Sequence, residues 1–254
     1  MRATNASRAR WTLFTEFITR PYPASPSVLL PFIVFLVLIP GYLIIGAHVR
    51  NLPMHYPALS LDRAVPVQPI WTLIYGSLYF AVFLPMVVLR EEEHIRRTLW
   101  ALVLIWMVGS IGWLCYPTML PRPSPAQLGE GFGAWALRIA YSWDAPRNCF
   151  PSLHVAQAVL AALTCNLVSR RLGLAAGAWA LLIAFSTLFT KQHYAADVVA
   201  GALLGGLSYV IFLRGYSRKA RLALDERIVT VVLLGFVSVH TLAALGFWVA
   251  YRMR

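Results

Sequence analysis

Long apolar stretches separated by short polar connections make up most of this chain. Seven of them approach the roughly 20 residues that an α-helix needs to cross a bilayer, and they cover residues 28–47, 69–89, 98–116, 152–169, 172–190, 195–213 and 228–250. The pattern predicts an all-α, polytopic membrane helical bundle, with a six-helix core over 28–213 and a seventh, C-terminal span over 228–250. We treat residues 1–254 as a single integral membrane domain.

The segment 1–27 precedes the first predicted span and is amphipathic. Apolar side chains between Trp11 and Ile18 fall on one face of a helix, and Arg10 and Arg20 flank them. This pattern is typical of a helix that lies in the membrane interface. We therefore expect a cytoplasmic, interfacial N-terminal segment.

The composition agrees with a membrane protein and excludes most soluble classes. Hydrophobic residues make up 59% of the 254 residues and charged residues only 13%, about half their share in soluble proteins. A soluble fold of this size has too little interior to bury so much apolar surface. The three cysteines show no Cys-x-x-Cys spacing, so neither a disulfide framework nor a zinc module is predicted.

The basic residues indicate the orientation of the chain in the membrane. The net charge is +12, from 22 Lys and Arg against 10 Asp and Glu, but the charges form short clusters between apolar runs rather than a nucleic-acid-binding face. With the N-terminus inside, 14 of the 22 basic residues fall in inside segments, in line with the positive-inside rule. We predict a protein of the inner or plasma membrane, with a cytoplasmic N-terminus, an outside C-terminus and no nucleic-acid partner.

One acidic residue of the ten, Asp197, stands within a predicted span. An ionisable group at membrane depth is costly and marks a functional hypothesis. His193 stands four positions earlier, a spacing that places both side chains on one face of a helix. A carboxylate that accepts a ring N–H fixes the tautomer of a histidine and leaves its other nitrogen as a base or nucleophile.

A second histidine, His154, stands where the fourth predicted span begins, two residues after Ser152. The predicted orientation places His154 and His193 at the same, outer face. Ser152 and the first N–H groups of this helix would form an anion site, and three outside cations lie nearby in sequence or topology: Arg122, Arg147 and Lys191. Together these groups predict a phosphate site, in which one histidine attacks phosphorus and the other protonates the leaving oxygen.

Other interpretations of these residues stay open. Asp197 at the start of a span is also a helix cap, and a single histidine near a span is often a packing residue, as we expect for His48, His55 and His240. Zinc accepts the ligand types of His154, His193 and Asp197, although the surrounding cations would oppose a dication. We predict neither a metal nor a cofactor.

The polar residues follow the order of a three-part signature. The chain contains Pro121-Arg122-Pro123 after the third span, Pro151-Ser152-Leu153-His154 at the start of the fourth, and Ser186-Thr187-x5-His193-x3-Asp197 between the fifth and sixth. These motifs resemble Lys-x6-Arg-Pro, Pro-Ser-Gly-His and Ser-Arg-x5-His-x3-Asp of the type-2 phosphatidic-acid phosphatase superfamily, whose membrane members have a six-helix core. The resemblance covers about residues 60–213.

Three positions depart from the family pattern. Cys115 replaces the lysine of the first motif, Leu153 the glycine of the second and Thr187 the arginine of the third. Phe-Pro-Ser-Leu-His followed by His-Tyr-x-x-Asp is similar to the branch of inositol-phosphorylceramide and sphingomyelin synthases, which transfer a phospho-headgroup to a lipid alcohol. The candidate replacements for the missing phosphate ligands are, in order, Arg122, Arg147 and Lys191.

The resemblance implies a role for each matched residue. His193 would be the nucleophile that forms a phosphohistidine, Asp197 would orient it, and His154 would be the general acid. Ser152 and Arg122 would bind phosphate oxygens. The substrate would be a lipid phosphate or phospholipid at the outer face, with headgroup transfer favoured over hydrolysis of phosphatidic acid or polyprenyl (di)phosphate.

A different class of function also fits the polar cluster, namely a transporter that binds an anion or lipid without chemistry. Gly201 and Gly205 in the sixth span have the spacing of a helix-packing or dimerisation motif, which leaves a homo-oligomer open. This spacing fits tight packing within an enzyme equally well.

Overall fold

The computed structural model describes residues 22–216 and 226–254, so the interfacial helix predicted within 1–27 lies outside the described residues. Within these two ranges the chain forms helices and no strand, which confirms the all-α prediction. The ten helices are α1 (Pro26–His48), α2 (Ser60–Ala64), α3 (Thr72–Ala81), α4 (Leu84–Val88), α5 (Glu92–Cys115), α6 (Phe132–Trp143), α7 (Leu153–Val168), α8 (Arg170–Phe189), α9 (Ala195–Phe212) and α10 (Glu226–Arg252).

Five of the described helices are long and apolar enough to cross a membrane. They cover Pro26–Asn51, Glu92–Cys115, Arg170–Phe189, Ala195–Phe212 and Arg227–Arg252. The chain is therefore an integral membrane protein. The fourth predicted span corresponds to α7, which is apolar but has only 16 residues.

The second predicted span, 69–89, is not a continuous helix. A 3₁₀ turn at Pro69–Trp71 leads into α3, and α4 follows after a break at Val82 and Phe83. Pro85 lies in the first turn of α4, where a missing N–H costs little, but the same residue could not have continued α3. Apart from this proline, the apolar pattern contains no signal for the break.

The short helix α7 lies at the centre of the bundle, packed against α8 and α9 with α5 beside it. It carries many small residues, and these let its neighbours approach closely. One apolar cluster joins α7 to α5 and α8 through Ile95, Leu99, Ala158, Ala162, Leu172 and Ile183. A second cluster joins it to α5 and α9 through Leu102, Ile105, Trp113, Ala156, Leu160 and Leu204.

The two spaced glycines of α9 face α7 within the same chain. A Cβ on Gly201 would lie 2.3 Å from the carbonyl oxygen of Ser152, and one on Gly205 would lie 2.4 Å from that of Ala156. No side chain fits at either position without a backbone shift. The motif therefore serves packing inside the chain and gives no support to a homo-oligomer.

We expect the substitution Gly201→Ala to destabilise the fold. The added methyl group meets backbone rather than a flexible side chain, and overpacking of this kind lowers the free energy of unfolding by about 1–3 kcal/mol. Thermal denaturation of the detergent-solubilised protein measures the effect. Gly206→Ala on the same helix is the matched control, because a Cβ there has nothing within 4 Å. Equal denaturation midpoints for the two variants would contradict the prediction.

Candidate active site

The site lies where α7 and α9 begin, beneath the connection between α5 and α7. A threonine in that connection, Thr118, holds the segment before α7: its Oγ1 accepts the N–H groups of Cys149 and Phe150 at 3.2 and 3.0 Å. Thr118 is fully buried. These bonds place the Cys149 carbonyl at the edge of the site.

His193 is the central side chain of the site. Its Nδ1 lies 2.9 Å from the Cys149 carbonyl oxygen and 3.4 Å from Oδ2 of Asp197. Because a carbonyl only accepts, Nδ1 carries the hydrogen and Nε2 carries the free lone pair. The nearest acceptor for His193 is thus a backbone carbonyl, a partner that the side-chain spacing in the sequence does not indicate.

The structure corrects the expected reason for the His193–Asp197 proximity. His193 is not on a helix, because α9 begins at Ala195 with Tyr194 as its N-cap. The Asp197 side chain instead folds back over the first turn, where Oδ2 accepts the Tyr194 N–H at 2.9 Å. Asp197 is therefore both a helix cap and a neighbour of His193, two interpretations that the sequence offered as alternatives.

The Asp197 carboxylate is fully buried. Its Oδ1 has no hydrogen-bond partner among residues 22–216 and 226–254. A buried, half-satisfied carboxylate costs free energy unless a positive charge lies close to it. In this position the carboxylate favours any state in which the His193 ring becomes cationic.

The structure brings His154 and His193 into direct contact. His154 Nδ1 lies 3.1 Å from His193 Nε2, so the nitrogen with the free lone pair faces the second histidine. On its other side, His154 Nε2 lies 2.8 Å from the Tyr75 hydroxyl. Two imidazoles that meet through single nitrogens can act as nucleophile and proton donor on one bound group.

Ser152 does not point into this site. It is fully buried and is the N-cap of α7, with its Oγ accepting the Val155 N–H at 3.4 Å. Its own N–H donates to the Asp197 carbonyl at 3.1 Å. The residue expected to bind phosphate thus connects the starts of α7 and α9.

Arg122 also binds the protein itself. Its guanidinium donates to the carbonyls of Tyr141 and Asp144 at 2.9 and 2.6 Å and to Gln192 Oε1 at 2.9 Å, and it lies 4.2 Å over the Tyr141 ring. These contacts hold α6 and the connection after it against the segment that carries His193. Arg122 stands directly behind the site.

The Lys191 ammonium is bound by backbone carbonyls. It donates to the carbonyls of Asp62 and Val65 at 3.0 and 2.5 Å, at the end of α2. The Asp62 carboxylate in turn accepts the Ala195 N–H at 2.7 Å, which caps α9. Sequence reasoning did not assign this capping role to Asp62.

A large cavity opens from the two histidines into the bundle. Its volume is about 680 Å³, and side chains of α1, α3, α5, α6, α7 and α10 line it. Most of the wall is apolar or aromatic. His154, His193 and Asp144 also line it and are connected by hydrogen bonds through Tyr75; we call this group, with the adjoining Arg147 and Asn148, the polar end of the cavity. A cavity of this form suits a molecule with one charged end and a long apolar remainder.

Arg147 is the cation that lines this cavity. Its Nε is buried and has no hydrogen-bond partner in the described part of the chain. A buried guanidinium N–H without an acceptor is available to an anionic ligand. Among the described residues the buried Nε of Arg122 lacks a partner as well, but Arg122 does not line the cavity. Of the three cations named from the sequence, Arg147 is therefore the one that lines the same cavity as the two histidines.

We expect Arg147→Gln to lower kcat/KM for a phosphate ester by a factor of about 10², the value of one charge-assisted contact in a water-poor site. Steady-state kinetics on the purified protein measure this. Arg63→Gln removes the same charge from an exposed position on α2 and is expected to leave kcat/KM unchanged. Similar losses in both variants would show that general electrostatics, not a contact, produce the effect.

Two other chemistries have little support at this site. Among the described residues, no group of three or more His, Cys, Asp and Glu side chains is arranged to hold a metal ion. The buried thiol of Cys149 is unsuited to act as a nucleophile, since burial raises its pKa to about 12.

Comparison with known families agrees with this arrangement. A family model described as the PAP2 superfamily matches residues 55–211, more than half of the chain. The chain belongs to the PAP2 superfamily. No curated protein and no solved structure matches it.

PAP2 membership supports a phosphatase or phosphotransferase type of function on lipid substrates in the membrane. The match runs from the segment before α2 to the end of α9. It leaves out α1 and α10, although both helices line the cavity. The polar end of the cavity and most of its wall thus belong to the family region, and the two flanking helices complete the apolar wall.

Proposed function

We propose that this PAP2 protein is a lipid phosphoryl-transfer enzyme that works through a phosphohistidine. The observation that carries the proposal is the contact of His154 and His193 at the polar end of a large apolar cavity. The phosphate end of a lipid would meet the histidines there, and its chains would occupy the space between α1, α3 and α10.

The first half-reaction transfers the phosphoryl-bearing group to the enzyme. His193 Nε2 attacks phosphorus, a P–N bond forms, and the P–O bond to the leaving alcohol breaks. The leaving oxygen takes a proton from His154. The ring of phosphorylated His193 is cationic, and the adjacent Asp197 carboxylate stabilises it, while Arg147 neutralises charge on the phosphate oxygens.

The second half-reaction reverses these roles with a different alcohol. His154 accepts the proton of the acceptor hydroxyl, whose oxygen attacks phosphorus as the P–N bond breaks. We favour a lipid alcohol over water as acceptor, because the two motifs are similar to those of the inositol-phosphorylceramide and sphingomyelin synthase branch. The mainly apolar cavity wall also favours a second lipid over bulk water.

The proposed location of the reaction is the outer membrane face. The bias of basic residues puts the N-terminus in the cytoplasm, and α1, α5 and α8 then run outward, so that α7 and α9 begin outside. The histidines stand at those starts. Labelling of a single added cysteine by a membrane-impermeant reagent tests this orientation.

The reaction is tested with the purified protein in nanodiscs. A phospholipid or phosphatidic acid labelled in its phosphate is supplied with and without a diacylglycerol acceptor whose acyl chains differ in length from those of the donor, so that the labelled product separates from the donor. We expect label on the acceptor lipid and an acid-labile label on the protein. Release of inorganic phosphate without acceptor would replace transfer by hydrolysis. Anion or lipid flux without turnover of any phospholipid would overturn the enzyme proposal in favour of a transporter.

The position of the lipid chain gives a further prediction. Ala243 of α10 lines the cavity, and Ala243→Trp would fill part of it. Displacing even two methylene groups, at about 0.8 kcal/mol each, should raise KM for a long-chain substrate about tenfold or more. A water-soluble, short-chain analogue is the control and should be turned over at the unchanged rate. Equal effects on both substrates would contradict this placement.

A further inference from the structure

A chain of hydrogen bonds stands behind His154, on the side away from His193. The Tyr75 hydroxyl lies 2.8 Å from His154 Nε2 and 3.3 Å from Oδ2 of Asp144. The other carboxylate oxygen, Oδ1, accepts the Tyr42 hydroxyl. Tyr75 is buried, at 2% exposure, so water does not compete strongly for these bonds. The proposed phosphoryl-transfer steps give no role to this series of hydrogen bonds.

The donor and acceptor in each of these hydrogen bonds follow from the chemistry of Asp144. Asp144, as a carboxylate, only accepts, and it takes one hydrogen from Tyr42 and one from Tyr75. With its own hydrogen on Asp144, the Tyr75 oxygen faces His154 through a lone pair. His154 Nε2 is then the donor and carries a hydrogen. The remaining nitrogen, Nδ1, lies 3.1 Å from His193 Nε2. Because His193 Nε2 offers a lone pair, a hydrogen bond there needs a hydrogen on Nδ1 as well, so this arrangement is that of the His154 imidazolium.

A binding role for Asp144 is a poor alternative. A carboxylate at the polar end of the cavity repels the phosphate that the neighbouring Arg147 attracts. The carboxylate is instead directed to two tyrosine hydroxyls. Its main chain is held as well, because the carbonyl accepts Arg122 Nη1 at 2.6 Å. Asp144 is thus fixed at both backbone and side chain, which suits a group that orients another residue.

We propose that Tyr75 and Asp144 are positioning residues that hold a proton on Nε2 of His154. This inference rests on the proposed phosphoryl-transfer function. His154 Nδ1 then gives its proton to the leaving oxygen and takes one back from the acceptor hydroxyl, while Nε2–H stays bonded to Tyr75 throughout. The negative charge of Asp144 favours the imidazolium form that a general acid needs. His154 and His193 are in this way each supported by a carboxylate.

A leaving-group comparison tests the proposal. Wild type, Tyr75→Phe and Asp144→Asn are assayed on two lipid phosphodiesters that differ only in the leaving group, an alkyl alcohol or nitrophenol. Nitrophenolate leaves without a proton, so a weaker general acid does not slow its release. We expect both variants to lose about 10²-fold in kcat on the alkyl substrate and less than about threefold on the nitrophenyl substrate in the half-reaction that releases the leaving group.

The controls separate the possible failures. Tyr209→Phe removes a tyrosine hydroxyl from a side chain packed on the apolar core of α9, outside the cavity, and should behave as wild type. Equal losses on both leaving groups, or no loss in Tyr75→Phe and Asp144→Asn, would overturn the positioning role of Tyr75 and Asp144 while leaving the proposed function intact. Failure of the wild-type protein to act on either ester would overturn the proposed function itself.

Discussion

Replacing His193 with glutamine is expected to lower turnover of a lipid phosphate by a factor of about 10⁴ or more, as loss of a nucleophile does in other enzymes with a covalent intermediate. Glutamine keeps a polar side chain of similar length but has no nitrogen lone pair to attack phosphorus. The acid-labile label on the protein should disappear together with activity. Both are measured in the nanodisc assay, with labelled phospholipid as substrate.

A matched histidine outside the site controls for this substitution. His48 is exposed at the end of α1, so His48→Gln should retain both activity and label. Denaturation midpoints of the two variants should be similar, because the glutamine amide can still donate to the Cys149 carbonyl that His193 contacts. If His193→Gln kept wild-type turnover, the nucleophile would have to be another residue and a phosphohistidine at position 193 would be ruled out.

A polar residue that interrupts an apolar pattern is the most informative signal in this sequence. Charges are rare at membrane depth, so Asp197 predicts a functional site, and the four-residue spacing indicates His193 as its partner. The structure brings the expected pair together with His154. The reason for the spacing was wrong, because a capping turn rather than a helix face brings His193 and Asp197 together.

Contacts made by backbone groups could not be predicted from residue identities. The Cys149 carbonyl that accepts from His193 depends on how Thr118 holds the preceding loop. The position of Lys191 in the sequence predicts a phosphate ligand, yet its ammonium donates to two carbonyls at the end of α2. Such placements depend on loop conformations, for which the pattern of apolar and polar residues carries no signal.

Tyr75 illustrates a second limit. It stands in an apolar stretch where an aromatic residue is unremarkable in sequence, and nothing there points to His154. Asp144 was in principle detectable, since only ten acids occur in the chain, but it lies in a long connection where charges are ordinary. Only the folded chain brings the hydroxyl and the carboxylate together.

The substitution Asp197→Asn separates two roles of the buried carboxylate. Asparagine can still accept the Tyr194 N–H through Oδ1, so the cap of α9 survives. The Cys149 carbonyl still accepts from His193 Nδ1, so the tautomer is kept as well. What is lost is the negative charge beside a cationic phosphohistidine. We therefore expect kcat to fall by about 10²–10³, less than the roughly 10⁴ seen where the same change also reverses a tautomer.

Comparison with two further variants makes the carboxylate assignment testable. Asp197→Ala removes the cap too and should lower the free energy of unfolding by about 1 kcal/mol, whereas Asp197→Asn should denature near the wild-type midpoint. Glu130→Gln, at an exposed position before α6, controls for the change in net charge. A loss in Asp197→Asn as large as that of His193→Gln would mean that the carboxylate, not the carbonyl, holds the tautomer. An unchanged kcat in Asp197→Asn would mean that Asp197 acts only as a helix cap. Catalysis would then not explain why its buried Oδ1 lacks a partner among the described residues.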